Sequence, residues 1–508
     1  MSPSSRQPNH LHAQIKLSAT RKTAQTLAGH LLVFVQGFVL TPIVIKVSGV
    51  ETFGAYTLLM SYMGIMFGIS SMGVGISAKR WLPNTDNYAE RAKIFYPQFW
   101  FQTISVSLLG CVSAIVYANL KTVSNWEFAG FSAWIVPVYL MAYTAYSQGT
   151  DYFRYTHRVG MFNISTVAQP YLFVSLALGI YWITDVLNAG SLIASLTLAS
   201  ATIGSLMFLR IYREIGVNFQ LLKRQDLAKE IKLGFPLVLA YLVDVILSGG
   251  DRFIIAAMLS VRDVGLYTPA YTLGSLAMVL PKVFGIVLPP LISQRVDACD
   301  EAGAKRLSDH VTHIFLLVSI PYVVGALVLG KEMLRLYAND EVAQATWPVI
   351  SIVAVASIFY GLMLIKANIL FVRMKTGALF NTNLISAVLN ILLNIILIYL
   401  FGNVIVAAIA TLASYILSYL LLSQKINGDP IDLSIDKGGL LRIIFCTAGM
   451  ALAMVLAIAL AAEMTDLHGV ALVGLGVLVG CATYLGLIFA QPANRVGFAQ
   501  LLKAVGAR

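Results

Sequence analysis

Runs of about 20 apolar residues recur from end to end of this 508-residue chain, and the connections between them are too short to fold alone. Hydrocarbon offers no water to backbone N–H and C=O groups, so a run that crosses a bilayer must satisfy them within a helix or a closed barrel. The length of the runs, and their lack of strict alternation, select helices. Composition agrees, since 58% of residues are hydrophobic and 12% charged, outside the range of an ordinary soluble domain. The spans read as 24–45, 53–78, 97–118, 128–148, 164–184, 188–209, 233–250, 265–293, 311–330, 347–370, 378–401, 403–423, 440–462 and 469–490. The expected fold class is therefore an all-α polytopic membrane protein with about 14 transmembrane helices.

The formal net charge of +11 would suit a nucleic-acid binder, and the positions of the cations decide against it. Of 35 Lys and Arg, 28 fall on the two tails and every second connection, counting Lys366 and Arg442 at helix ends, and only six on the connections between. That asymmetry is the positive-inside pattern and places both termini in the cytoplasm. No separate domain remains to read nucleic acid. Residues 1–23 lack the features of a cleavable signal, so the first helix is expected to act as an uncleaved anchor. Cys111, Cys299, Cys446 and Cys481 are scattered without CxxC spacing and read as free thiols. No P-loop, HExxH or nucleophile elbow occurs, and no outward loop has room for a catalytic domain. The chain reads as a carrier, not an enzyme, with no cofactor and no metal site expected.

An internal repeat organises the spans. Aligned without gaps at an offset of 218, Gln148–Asn163 matches the stretch at Phe371–Asn381, pairing Phe153 with Phe371, His157 with Lys375, Phe162 with Phe380 and Asn163 with Asn381. Gly54, Tyr56 and Thr57 match Gly265, Tyr267 and Thr268 at an offset of 211. Two parallel six-helix repeats follow, related by an axis along the membrane normal, with two C-terminal helices outside the repeat. The expected organisation is a cytoplasmic tail (1–23), an N-lobe (24–212), a cytoplasmic linker (213–232), a C-lobe (233–423), helices 13 and 14 (424–490) and a second tail (491–508). A substrate path is expected between the lobes. Gly64 and Gly68 stand in GxxxG spacing, which predicts close helix packing, and Asn390 and Asn394 share a helix face, which predicts interhelical hydrogen bonds. Arg295–His310 mixes both signs and is expected to form a short interfacial helix. The last two helices are expected at the periphery, against lipid tails or a partner.

The stretch Gly234–Arg295 holds two hydrophobic runs joined by a segment with Asp251, Arg252, Arg262 and Asp263, and it carries Asp244 and Lys282 inside the runs. A charge at bilayer depth costs about 2.5–3.5 kcal/mol on insertion scales, so it is retained where it faces a polar interior. Cations at helix ends or within spans, namely Lys46, Arg80, Arg154, Arg252, Lys282 and Lys366, would line a cavity suited to an anionic cargo, because fixed cations replace a phosphate's lost hydration. His30, in a first helix that also contains Pro42, joins them as a candidate for the aqueous face. The competing reading of Lys282 is an ion pair with Asp244 or Asp251 that holds two helices together. Asp244 and Asp251 are the candidates for H+ or Na+ coupling, since a carboxylate within the membrane can take up either ion.

The order GFP, DR, VGLYT and LPPLIS in Gly234–Arg295, with the hairpin SGVETFGAYTLLMSYMGIMFGISSMGVGISAKR at Ser48–Arg80, resembles the polysaccharide and O-antigen (lipid-linked oligosaccharide) flippases of the multidrug/oligosaccharidyl-lipid/polysaccharide exporter superfamily. The similarity runs from about residue 24 to about 425. The resemblance implies a bacterial inner-membrane transporter that moves an oligosaccharide on undecaprenyl pyrophosphate to the outer leaflet by alternating access. Its partners would be the lipid-linked cargo, membrane lipids and polysaccharide polymerase or assembly proteins. The alternatives are a cation-coupled multidrug or small-solute antiporter and a non-transporting assembly scaffold. The first is weakened by the absence of Asp and Glu between Ala24 and Ile45.

Overall fold

Helix is the only extended secondary structure in the described residues, as hydrocarbon demands. A computed structural model of the chain describes residues 7–120, 134–464 and 469–490. The helices are α1 (Gln7–Ser71), α2 (Ile76–Trp81), α3 (Tyr88–Leu120), α4 (Ile135–Tyr155), α5 (Val159–Thr184), α6 (Ala189–Ile215), α7 (Arg224–Gly249) and α8 (Asp251–Met258). They continue as α9 (Val261–Gly274), α10 (Val279–Asp297), α11 (Glu301–Tyr337), α12 (Asp340–Val372), α13 (Thr376–Phe401), α14 (Ile405–Ile426), α15 (Lys437–Met464) and α16 (Val470–Ala490). Among these residues, 12 continuous stretches are long and apolar enough to cross a membrane. One of them contains Gly49 at φ 85° and ψ 169°, a break that divides α1 into two spans, and the less apolar α4 adds another 21-residue helix. The expected number of crossings is thereby recovered.

Local chemistry moves several boundaries. The second span was expected to run to residue 78, but α1 ends at Ser71, and Met72, Gly73 and Gly75 take φ of 45°, 74° and 110°. Arg295–His310 forms no separate interfacial helix. After a short turn Asp300 accepts a hydrogen bond from Gly303 N at 2.8 Å, and α11 then runs unbroken from Glu301. An N-cap side chain of this kind favours continuation into a long helix. The connection at Asp251–Met258 is itself helical, as α8.

The chain separates into two compact units, residues 1–242 and 243–508, with the division inside α7. In the first, α3, α4 and α6 meet around Phe95, Phe99, Tyr152, Phe153, Met207 and Ile211. The Phe95 and Tyr152 rings lie edge to face at 5.2 Å, and Phe99 meets Phe208 at 4.4 Å. The segment after α6 is strapped to α3, with Trp100 Nε1 donating to the Asn218 carbonyl at 2.9 Å and Tyr96 to that of Gly216. The GxxxG pair does pack closely: Tyr241 lies across it, donating to the Gly64 carbonyl at 3.3 Å. A Cβ on Gly68 would sit 2.3 Å from the Tyr241 ring. In the second unit α12 is central, buried on faces that meet α9, α10, α11 and α14. An apolar helix without a polar face is what such a position requires. Helices α15 and α16 pack on α11 and leave an apolar groove of 680 Å³ between the three.

The repeat is visible in the turns. The α4–α5 turn has His157 at φ 60° and the α12–α13 turn has Met374 at φ 57°. Arg158 N donates to the Phe153 carbonyl at 2.9 Å, and Lys375 N to that of Leu370 at 2.8 Å. His157 therefore corresponds to Met374, and the ungapped register of 218 is one residue too long. The left-handed residue and the carbonyls it exposes set the match, whereas the aligned Phe residues pointed one place further on.

Each unit closes the same three helix ends with an ionic cluster of opposite make-up. In the first, Glu214 at the end of α6 accepts from Arg91 on α3 at 3.3 Å, from Tyr152 at 3.0 Å and from Arg158, before α5, at 2.8 Å. In the second the cation is central. Arg373, before α13, reaches Glu301 on α11 at 2.9 Å and Asp429, after α14, at 2.8 Å. Burial opposes ionisation of Asp429, but hydrogen bonds from Arg373 and Ile431 N, with the Arg373 charge, hold its carboxyl below the usual aspartate range. A depressed carboxyl adds stability above its unfolded pKa, about 3.9, and loses it as pH falls through the folded value. Asp429→Asn is accordingly expected to cost about 1–3 kcal/mol near neutral pH, read as a lower melting temperature in nanodiscs, with the deficit shrinking below about pH 4. Gly73→Ala should also destabilise, because its Cβ would lie 2.2 Å from the Gly234 carbonyl carbon at a φ that alanine disfavours. A melting temperature equal to the parent's would contradict that packing.

Candidate functional site

The Gly249–Gly250 junction ends α7 and starts α8, and it places Asp251 in the first turn of α8, where a negative charge suits the helix dipole. Asp251 is 3% exposed. Its carboxylate accepts from Tyr267 Oη at 2.6 Å and from Arg252 N at 2.9 Å, so a buried charge is met by donors from α8 and α9. The Arg252 guanidinium lies 5.9 Å from the centre of the Tyr271 ring, a cation–π arrangement. Lys282, on α10 beside Pro281, is within Coulombic reach of Asp244 on α7. Both side chains are exposed. Among the described residues neither forms an ion pair within 4.0 Å.

Tyrosines surround this group. Tyr271, Tyr360 and Tyr415 all lie within the electrostatic reach of Asp244. The Tyr360 and Tyr415 ring centres are 5.0 Å apart, those of Tyr267 and Tyr271 5.6 Å, and Tyr415 donates to the Leu247 carbonyl at 3.4 Å. Sequence reasoning missed all four. Their signal was position, since Tyr is enriched at membrane interfaces and these sit well inside apolar helices. The arrangement offers one accessible cation, one accessible carboxylate and phenol hydroxyls around a buried carboxylate. It can hold an anion, a cation or a sugar hydroxyl, and it contains no nucleophile–base pair.

The other expected residues are dispersed. Lys366, 3% exposed, pairs with Asp432 at 2.5 Å and lies 5.9 Å from the Tyr419 ring, so it is committed to the loop after α14. In the first unit Arg154 lies 3.9 Å from Asp151 and 5.7 Å from the Phe162 ring, and Arg80 stacks on Trp81 at 5.2 Å. Lys46 is exposed. The side chain of His30 lies outside the described residues. Asn390 and Asn394 are buried as expected but bond within α13, Asn394 Nδ2 donating to the Asn390 carbonyl at 2.9 Å, and not across helices. Among the described residues no group of His, Cys, Asp and Glu is arranged to hold a metal.

Comparison with known proteins bears on this arrangement. The family model described as "Polysaccharide biosynthesis protein" matches residues 19–296, and the MatE model matches residues 236–396. The chain is 30% identical over 175 residues to the "Probable flippase AglR" of Haloferax volcanii, covering 34% of this chain and 36% of that protein. It is also 30% identical over 166 residues to the "Probable low-salt glycan biosynthesis flippase Agl15" of the same organism, covering 32% and 34%. The chain thus matches about a third of the length of these curated relatives. The solved inward closed Lipid II flippase MurJ superposes with a TM-score of 0.67 at 13% identity, covering 92% of this chain and 98% of that one. An inward-facing multidrug transporter of the MATE family gives 0.60 at 14% identity, covering 81% and 94%. At such identities the likeness is one of fold. With more than half of its length matched by one family model, this multi-pass membrane chain belongs to the polysaccharide biosynthesis protein family.

Proposed function

We propose that the protein flips an oligosaccharide repeat unit carried on undecaprenyl pyrophosphate, of the kind used for polysaccharide or O-antigen, from the inner to the outer leaflet of a bacterial inner membrane. It does so by alternating access, with both termini cytoplasmic. The observation that carries the reading is Lys282, an accessible ammonium on a membrane-crossing helix with no fixed ion pair, grouped with Arg252 and the four tyrosines. A pyrophosphate entering such a site regains charge-assisted hydrogen bonds for the water it loses. The apolar groove between α11, α15 and α16 offers hydrocarbon surface to a lipid tail. Family membership supports the class of cargo, and the curated flippases support the class of activity. A polysaccharide polymerase or other assembly protein would receive the product.

Asp244 and Asp251 favour a second reading, a multidrug or small-solute antiporter coupled to H+ or Na+, which the MATE-like fold also accommodates. The two readings separate experimentally. For the flippase, Lys282→Ala and Arg252→Ala are each expected to reduce surface polysaccharide about tenfold or more at matched protein level, the effect of losing one hydrogen bond to a charged group. Unchanged export in both variants would reject the site. In proteoliposomes, Asp244→Asn is expected to abolish the dependence of lipid-linked oligosaccharide translocation on an H+ or Na+ gradient. Gradient-driven efflux of a lipophilic cation, with no translocation of the glycolipid, would establish the antiporter instead.

A further inference from the structure

A second polar chamber lies wholly within the first unit, and none of the cationic candidates lines it. It measures 430 Å³ where α1 ends, between the Met72–Gly75 turn, α2, α3, α4 and α7, a size within the usual range of small-molecule sites, about 300–1,000 Å³. Its walls combine three side-chain amides, Gln98, Gln102 and Gln148, with Asp151, the Lys79 ammonium within Coulombic reach of that carboxylate, and the rings of Tyr143 and Tyr241. Gln98 and Gln102 are 5% and 3% exposed, deep burial for amides on membrane helices. Gln148 Nε2 donates to Gln102 Oε1. That bond leaves the Gln102 amino group and the Gln148 carbonyl without a protein partner among the described residues, on the chamber wall. Asp151 is already balanced by Arg154 at 3.9 Å, so the chamber carries no unmatched carboxylate to attract an organic cation.

The aromatic wall is rigid. Tyr241 is pressed on the backbone at Gly68, where any Cβ would be 2.3 Å from its ring, and its hydroxyl is anchored on the Gly64 carbonyl. Tyr143 is braced edge to face by Phe67 at 4.9 Å. Fixed ring faces beside open amide donors and acceptors complement one class of molecule in particular. A pyranose presents an apolar C–H face and a rim of hydroxyls, each both donor and acceptor, which amides match and an anion or a cation does not.

We propose that this chamber binds a neutral or N-acetylated pyranose ring of the cargo, with Gln102, Gln148 and Asp151 holding its hydroxyls and Tyr143 or Tyr241 its apolar face. The inference rests on the flippase reading and assigns the sugar end of the cargo to the first unit. The test uses the full chain in nanodiscs and saturation-transfer NMR with D-glucose, D-galactose, N-acetyl-D-glucosamine and, as a cation control, tetraphenylphosphonium. At least one sugar should give a transfer signal, reduced fivefold or more in the double variant Gln102→Leu/Gln148→Leu. Replacing both members of the pair leaves no orphaned partner, and an unchanged melting temperature verifies folding. Gln148→Glu, which keeps an acceptor, should retain part of the signal. No signal from any sugar, a signal indifferent to the double variant, or displacement of the sugar by tetraphenylphosphonium would overturn the proposal. Translocation of lipid-linked oligosaccharide that persists unchanged in the double variant would remove this chamber alone. Loss of translocation in every form of the protein, with the Gln-dependent sugar signal intact, would remove the flippase reading and leave the chamber.

Discussion

The cost of an unsatisfied polar group in hydrocarbon governs this structure. It forces the backbone into helices, and it restricts irregular chain to places where protein or water supplies the missing partners. The breaks at Gly49, at Met72–Gly75 and at Gly249–Gly250 are therefore informative. The second borders the amide-lined chamber, and the third presents Asp251 to Tyr267.

The same cost separates two kinds of charge that look alike in a sequence. Lys366 and Lys282 are both single lysines in apolar helices. The first is buried and neutralised by Asp432, brought in by a loop 66 residues away. The second is exposed and, among the described residues, has no ion-pair partner within 4.0 Å. Asp432 lies outside any span, so nothing local to Lys366 announces its pairing. Lys282 is neighboured by Pro281 and lies within Coulombic reach of Asp244 on α7.

Much of the architecture was legible because bilayer thickness imposes a length and internal duplication imposes a period. The spans followed from the first of those facts, and the close packing at Gly64 and Gly68 from their GxxxG spacing. The register of the repeat did not, because aligned phenylalanines were more conspicuous than the left-handed residue that shapes each turn, His157 or Met374. The tyrosines around Asp244 were illegible for another reason. They come from α9, α12 and α14, and only tertiary packing brings residues 271, 360 and 415 to one place. Asn394 bonds to Asn390 one turn earlier in the same helix.

The ionic clusters at the helix ends have a consequence for biogenesis. A duplicated chain entering a membrane risks pairing a hairpin of one copy with the docking surface of the other, a characteristic misassembly of repeat-built proteins. Here the two copies differ in sign at one position, Arg91 on α3 against Glu301 on α11. The α6 end offers Glu214 to two arginines, while Asp429 after α14 and Glu301 on α11 meet a lone arginine. A third helix delivering Arg91 to the second copy's cluster would crowd Arg373, and one delivering Glu301 to the first would face Glu214. A like charge at that position disfavours the swapped partner.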